Sequence, residues 1–281
     1  MSVFVQSLFI YPVKGVRAVP LKEARVEARG LDGDRRWIVT DEDGVFLTQR
    51  DCPALARIEA QRHRMGLFLR KDGGDLHFVP WPEGEERRSI EIWLDRVEAA
   101  PAGASADAWL TGALGRPARL FHMDDAAERR TPATFAAPSP VSFADAYPIL
   151  ITTTASLAAL NDEIAANGGE GVGMERFRPN IVVGGADAWA EDRWRAIRIG
   201  QTVLDLVKPC DRCVVTTTDQ RTGERMGKEP LASLARIRKS ADPQVSGVLF
   251  GWNVVVREAG GIAVGDAVAV AQRRESAWRI E

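Results

Sequence analysis

Two of the three cysteines in this 281-residue chain stand in Lys208-Pro209-Cys210-Asp211-Arg212-Cys213, and the third is Cys52. A thiolate is both a soft metal ligand and a strong nucleophile, so a C-x-x-C pair among cations is the first place to look for chemistry. Arg212 next to Cys213 puts a positive charge where it would stabilise a thiolate. The run Gln201 to Val207 alternates apolar and polar residues, and Val214-Val-Thr-Thr-Thr218 is β-branched, which predicts two strands with the cysteines on the link between them. Scaffolds place functional groups on such links.

Several chemistries fit that pair. Structural zinc needs two more ligands, and outside the pair the chain offers only Cys52, His63, His77 and His122, none with matching spacing. A thioredoxin-like redox pair belongs at a helix N-terminus, and Thr216, Thr217 and Thr218 disfavour a helix there. Two inert core thiols are a third reading, since free cysteine is often a small buried residue. A thiolate facing a metal or a substrate is the fourth.

Other polar residues stand at predicted strand ends. Lys14 lies in Tyr11-Pro-Val-Lys-Gly15, Arg35 in Gly33-Asp-Arg-Arg-Trp37, Arg178 and Asn180 in Phe177-Arg-Pro-Asn180, and Asn253 in Phe250-Gly-Trp-Asn253. A lone surface cation is usually just solvated. Their shared address at strand termini predicts convergence on one place.

The elements that would position them are mostly strands. Strand patterns cover Val3 to Tyr11, Leu21 to Ala28 and Arg36 to Thr40, with a turn at Asp41-Glu-Asp-Gly44 into Val45 to Thr48. Leu67 to Arg70 and Leu76 to Val79 make a second hairpin, and Ser89 to Val97 alternates as one further strand. Ser105 is placed to cap a short helix over Ala106 to Leu110, and Ala118 to His122 resumes a strand. Met123 to Tyr147 is rich in alanine and proline without periodicity, a length that marks a linker or a functional segment. Beyond it come a strand at Ile149 to Thr153, a helix with Leu157, Leu160 and Ile164 on one face, strands at Asn180 to Val183, Ala196 to Ile199 and Val203 to Val207, and a helix opening at Pro230. Val248 to Arg257 and Gly261 to Ala271 close the chain. The reading is an α+β, predominantly β protein, an N-terminal β-barrel-like module over 1–122 and a second β-barrel domain with a few helices over 123–281.

The formal net charge of -2 and a pI near 6.0 give no basic footprint for nucleic acid. An odd number of cysteines without a framework suits a reducing compartment. The start has no signal pattern, and no apolar run approaches the roughly 18 residues of a spanning helix, so a cytoplasmic protein without membrane contact is expected.

Taken in order, Tyr11-Pro-Val-Lys-Gly15, Gly33-Asp-Arg-Arg-Trp37, Phe177-Arg-Pro-Asn180, Cys210-Asp-Arg-Cys213, Thr216-Thr-Thr-Asp219, Thr222-Gly223 and Phe250-Gly251 resemble the family that joins an N-terminal MOSC-type β-barrel domain to a MOSC domain. That family includes the mitochondrial amidoxime-reducing component and bacterial reductases of N-hydroxylated bases. The resemblance implies a molybdenum cofactor (Mo-molybdopterin) with Cys213 as the protein thiolate on the metal and the catalytic residue. Lys14, Arg35 and Arg178 match the cations that hold the cofactor's phosphate and pterin, as a guanidinium or an ammonium suits. Asn180 and Arg212 match polar contacts to the pterin and metal region, and Asp145 lies in a polar loop where a carboxylate accepts from pterin N–H groups. Arg50 and Asn253 fall on family positions of uncertain role, Arg50 read as supporting structure. Gly15 departs from relatives that carry a hydroxyl after the lysine. The implied activity is reduction of N-hydroxylated small molecules, namely hydroxylamines, amidoximes and N-hydroxylated purines, a detoxification chemistry. No iron–sulfur cysteine set or membrane anchor is evident, so electrons are expected from a separate protein of flavin, haem or iron–sulfur type. The other reading is a cofactor or sulfur carrier that uses Cys213 without turnover. No proton donor stands out beyond Asp211.

Overall fold

The strand-rich sequence folds in the computed structural model, which describes residues 2–281, into eighteen strands and three α-helices. In chain order the first half holds β1 (Phe4–Ile10), β2 (Val19–Leu21), β3 (Glu23–Glu27), β4 (Gly30–Leu31), β5 (Trp37–Thr40), β6 (Ile58–His63), β7 (Gly66–Lys71), β8 (His77–Pro80), β9 (Arg88–Ile92), β10 (Asp95–Pro101), α1 (Ala104–Leu114) and β11 (Arg119–His122). The second half holds β12 (Ile149–Thr153), α2 (Thr154–Ala166), β13 (Ile181–Gly184), β14 (Trp194–Ile199), β15 (Thr202–Arg212), α3 (Leu231–Ile237), β16 (Val248–Glu258), β17 (Gly260–Ala263) and β18 (Val268–Arg273). The class is α+β and predominantly β.

An eight-stranded sheet in the order β18-β14-β15-β16-β12-β13-β1-β2 carries the molecule, flanked by β5-β11-β10-β9, β17-β3-β4 and β6-β7-β8. Its one parallel pair is β12 with β13, and α2 makes the crossover that parallel strands require. Strand β1 pairs antiparallel with β13, Phe4 opposite Gly184, so the first strand of the chain is interior to the sheet of the second half. Burial follows from alternation: Val5, Leu8 and Ile10 of β1 pack with Ile181, Val183, Leu204, Leu206, Trp252 and Val254 in one core. Separate clusters sit around Trp37, Leu55 and Leu67 in the first half, and around Phe177 and Phe250, whose rings stack at 3.9 Å.

Strands β15 and β16 are the longest, eleven residues each, and their register shifts at Val203/Leu204, Leu206/Lys208 and Pro209/Asp211. Bulges bend a strand and re-aim its side chains, and a proline is tolerated in a sheet at such a point. The last shift spans Cys210, the first cysteine of the pair.

The elements differ from expectation in several places, one of them β6, which pairs with β7 where no strand is expected. Val214–Thr217 is a turn of 3₁₀ helix rather than a strand. The Thr216 hydroxyl donates to the Cys213 carbonyl at 2.9 Å and that of Thr217 to Val214 at 2.8 Å, local bonds that compete with a ladder. Ser89 to Val97 is not one strand but the hairpin β9–β10, turning at Trp93-Leu94 with Trp93 in the left-handed region (φ 56°). No glycine, proline or asparagine announces that turn. Val45 and Phe46 make isolated bridges to Glu91 and Thr40 instead of a strand. Helix α1 begins at Gly103 without a side-chain cap, so Ser105 lies inside the helix.

The long segment 123–147 contains no helix or strand, yet it is held in place. Arg129 is 8 % exposed and donates to the carbonyls of Ser142, Ala144 and Asp145 and to the Asp95 carboxylate. One guanidinium thereby satisfies a backbone that has no ladder.

A second buried polar group lies behind α2. Glu191, 1 % exposed, accepts from the hydroxyls of Ser156 at 2.7 Å and Thr153 at 3.2 Å, and Thr153 caps the helix. Burial raises the Glu191 carboxyl from 4.5 to about 7, with the Ser156 hydrogen bond pulling the other way. Because the folded value lies above the unfolded one, this group's contribution to stability is complete below pH 4.5 and is lost as pH rises through about 7. Glu191→Gln, which resembles the neutral acid, is expected to remove a pH-dependent loss of roughly 3 kcal/mol. Denaturant midpoints for wild type and variant from pH 4 to 8 check it: parallel curves count against this assignment, and a flatter curve for the variant supports it.

Candidate functional site

Eight stretches of the chain meet at one cleft that is open to solvent. Lys14, Arg35, Asp145, Arg178, Asn180, Arg212 and Cys213, singled out from the sequence, all line it.

Lys14 follows β1, with its backbone N–H tied to the Trp37 carbonyl at 2.8 Å. Its side chain is nearly buried, and the ammonium donates to the Phe143 carbonyl at 2.9 Å and to Asp145. Burial lowers Lys14 to about 8, with Asp145 opposing the shift. Desolvation works against the Asp145 charge as well, but the Lys14 ammonium beside it holds the carboxyl well below the usual range. The loop pinned by Arg129 is what brings Asp145 there.

Arg35 and Arg178 both adopt left-handed backbone, φ 49° and 56°. Neither is a glycine or asparagine, so the surroundings hold a conformation that costs energy, as at many functional sites. Tyr11 lies beneath both: the guanidinium carbons are 4.4 Å (Arg35) and 4.2 Å (Arg178) from its ring centroid. Asp34 is buried and accepts from the Tyr11 N–H at 2.8 Å and from Arg35 at 2.5 Å. Burial works against the Arg35 charge, but Asp34 more than offsets it and Arg35 is raised. Burial and the neighbouring Arg35 lower Arg178 to about 10, still charged at neutral pH. The Tyr11 hydroxyl donates to the Pro179 carbonyl at 3.0 Å, and burial pushes it up to about 12.

Asn180 is 1 % exposed, and its amide is engaged by the protein. Its oxygen accepts from Leu150 N–H and Arg35, both at 3.1 Å, and its nitrogen donates to the Phe9 carbonyl at 3.2 Å. In this arrangement it ties β1, β12 and β13 together and orients Arg35. Gln220 plays a similar part for Arg178, accepting from it at 3.0 Å while forming a reciprocal amide pair with Gln49.

At the end of β15 the charges are distributed differently from expectation. Arg212 does not face the sulfur of its neighbour Cys213. It donates to Cys210 Sγ at 2.9 Å and to the Phe177 carbonyl at 2.6 Å, leaving its buried Nε without a partner. Burial pushes the Cys210 thiol up, with Arg212 opposing. The cation at Cys213 Sγ is Arg50, at 3.3 Å. Adjacent residues on an extended chain point to opposite sides, which is why sequence adjacency misled here. Asp211 is exposed and paired with Lys208, and Asn253 lines the cleft opposite. Trp93, Gln49 and Gln220 had no sequence signal: Trp93 sits in what reads as a continuous strand, and the two glutamines meet only through the fold.

The lining holds five cations (Lys14, Arg35, Arg50, Arg178, Arg212) and two carboxylates, Asp145 and Asp211. Such an excess suits an anion with planar polar groups. Among the described residues no group of three or more His, Cys, Asp or Glu is placed to hold a metal ion. Cys213 is one soft donor, so a metal at this sulfur would take its remaining ligands from a bound molecule. No helix of the described residues is long and apolar enough to cross a membrane.

Comparison with known proteins gives consistent matches over most of the chain. Residues 2–117 match the model of the MOSC N-terminal beta barrel domain, and residues 138–269 that of the MOSC domain. The chain is 33 % identical over 284 residues to the mitochondrial amidoxime-reducing component 1 of Xenopus laevis, covering 94 % of this chain and 81 % of that protein. It is 34 % identical over 280 residues to the mitochondrial amidoxime reducing component 2 of Homo sapiens, covering 94 % and 82 %.

The cleft's charge makes a simple anion a probe. Sulfate, which does not titrate in this range, is expected to bind protein stripped of small molecules, more weakly as salt rises. Because Lys14 is charged below about 8 and neutral above it, affinity should fall between pH 7 and 9. Lys14→Gln should bind less tightly and without that pH dependence. Calorimetric titration decides, and wild-type affinity that does not change with pH would remove Lys14 from the anion site.

Proposed function

We propose a function from one premise: the chain belongs to the family that joins a MOSC N-terminal beta barrel domain to a MOSC domain and includes the mitochondrial amidoxime-reducing components. The reading is a molybdenum-cofactor-dependent oxidoreductase that reduces N-hydroxylated compounds, among them hydroxylamines, amidoximes and N-hydroxylated purines, with electrons from a separate redox protein. The observation that carries it is the meeting of a soft thiol with a cationic cleft: Cys213 lies in the same cavity as Lys14, Arg35, Arg178 and Arg212.

The residues fit the cofactor on their own chemistry. A dithiolene-bound molybdenum takes thiolate well, the cofactor's phosphate needs cations, and its pterin needs donors and acceptors in a plane. The orphaned Nε of Arg212 in the cleft wall is a donor awaiting an acceptor. Cys213 would hold the metal, Lys14, Arg35 and Arg178 the phosphate and pterin, and Asp145 the pterin N–H groups. Asn180 contributes by orienting Arg35 and Arg212 by shaping the wall beside Cys210. When bound, the cofactor supplies two-electron oxygen-atom chemistry, which delivers the substrate oxygen as water with two electrons and two protons.

The chain's own part is orientation and charge. Arg35 and Arg178, fixed by Tyr11, Asp34, Asn180 and Gln220, present guanidinium groups without reorganising when an anion arrives, which is preorganisation. Lys14 is already charged at pH 7 and would exchange Asp145 for a more strongly charged oxygen. The sequence division at 122/123 belongs to this reading, although the large sheet crosses it through β1 and β2. Three unpaired thiols suit a reducing location, and the cytoplasm is the compartment we assign.

Protein produced with molybdate is expected to contain near one molybdenum per chain and to reduce benzamidoxime with reduced viologen. Cys213→Ser should lose more than the roughly 10–100-fold that outer-shell changes cost a metal site. Molybdenum retained with undiminished turnover in that variant would remove Cys213 from the metal. Bound cofactor in wild type with no turnover from any donor would instead favour a carrier.

A further inference from the structure

We infer that Arg50 sets the charge around the Cys213 sulfur and is thereby a positioning residue that tunes the metal held there, an inference that rests on the reading of Cys213 as a molybdenum ligand. Arg50 belongs to the first half of the chain, in a turn where Thr48 Oγ1 accepts its backbone N–H at 3.0 Å. Its Nη2 donates to Cys213 Sγ at 3.3 Å, across 163 residues of sequence. The sequence neighbour Arg212 is committed to Cys210 and Phe177, so Arg50 is the guanidinium that bonds this sulfur.

Three features hold Arg50 in that position. Its guanidinium carbon lies 4.8 Å from the Trp93 ring centroid, a cation–π contact at the mouth of the cleft. Trp93 keeps a left-handed backbone, φ 56°, disfavoured for a bulky side chain, and its ring packs edge-on against Phe46 at 4.9 Å. The Arg50 carbonyl accepts from Arg225 at 2.9 Å, and neighbouring Gln49 is anchored to Gly15 and Gln220. The guanidinium is thus bonded to a sulfur and stacked on a ring, with no carboxylate in salt-bridge contact, although Asp145 acts on it across the cleft and accepts from Trp93 Nε1 at 3.4 Å.

A hydrogen bond and a positive charge at a sulfur ligand withdraw electron density from the metal and stabilise its more negative, reduced state, as outer-shell groups do elsewhere. Removing the charge should therefore make the metal harder to reduce. Replacing it by lysine keeps the charge but loses the planar fork.

The test uses molybdenum-loaded wild type, Arg50→Gln, Arg50→Lys and Trp93→Leu, with metal content per chain, thermal midpoint, and a reductive titration followed by the paramagnetic signal of the half-reduced metal. Expected is a more negative midpoint potential and a shifted signal in Arg50→Gln. Arg50→Lys should lie nearer wild type, and Trp93→Leu should shift the same way by less. Loss of molybdenum from Arg50→Gln but not from Arg50→Lys also supports the inference. Folded variants with wild-type potential and signal overturn it, as does equal metal loss from both Arg50 variants, which would make Arg50 merely structural. Wild-type protein that takes up no molybdenum overturns the underlying reading, and this inference with it.

Discussion

Placing five cations in one half-buried cleft is the constraint around which the rest of the molecule is arranged. Like charges repel more strongly where water is excluded, so each must be held by a group that does not cancel it. The protein does this largely with neutral partners. The Tyr11 ring lies under two guanidinium groups, Asn180 and Gln220 accept from Arg35 and Arg178, and backbone carbonyls of Phe143 and Phe177 receive Lys14 and Arg212. Two carboxylates are the exceptions, the buried Asp34 balancing Arg35 from behind and Asp145 pairing with Lys14. The cleft therefore keeps a surplus of positive charge while every cation is positioned.

That arrangement explains the fold's irregular features. Alternation at the extended end of β15 turns Cys213 and Arg212 apart, so one C-x-x-C segment serves two environments, Cys210 with Arg212 and Cys213 with Arg50. The segment 123–147, which has no ladder, is worth its conformational entropy because Arg129 binds its carbonyls and sets Asp145 opposite Lys14. Of the five left-handed residues other than glycine among the described residues, three, Arg35, Trp93 and Arg178, line the cleft, and Asp72 and Trp189 lie elsewhere.

Much of this was legible in the residues. Alternation located most strands, though not β4 or β6, and the address of Lys14, Arg35, Arg178 and Asn180 at strand ends anticipated their convergence, because strand ends on one side of a sheet are neighbours in space. What stayed hidden has physical reasons. The turn at Trp93-Leu94 lacks turn residues, since tertiary contacts rather than local preference hold Trp93 there. The cation at Cys213 is Arg50 and not the expected Arg212, because neighbours on an extended chain face opposite sides and Arg50 reaches the sulfur only through the fold. Gln49 and Gln220 meet by amide pairing alone, and ordinary surface glutamines look the same in sequence.

The interior position of β1 has a further consequence for biosynthesis. One neighbour, β2, follows it closely, but the other, β13, leaves the ribosome only after the intervening first-half strands and the long Arg129-bound segment, so the first strand must wait with one edge unpaired. Pairing over so great a separation slows folding and leaves an apolar, strand-forming segment open to mispairing meanwhile. The nascent chain's exposure to chaperones is thus written into the placement of its first ten residues.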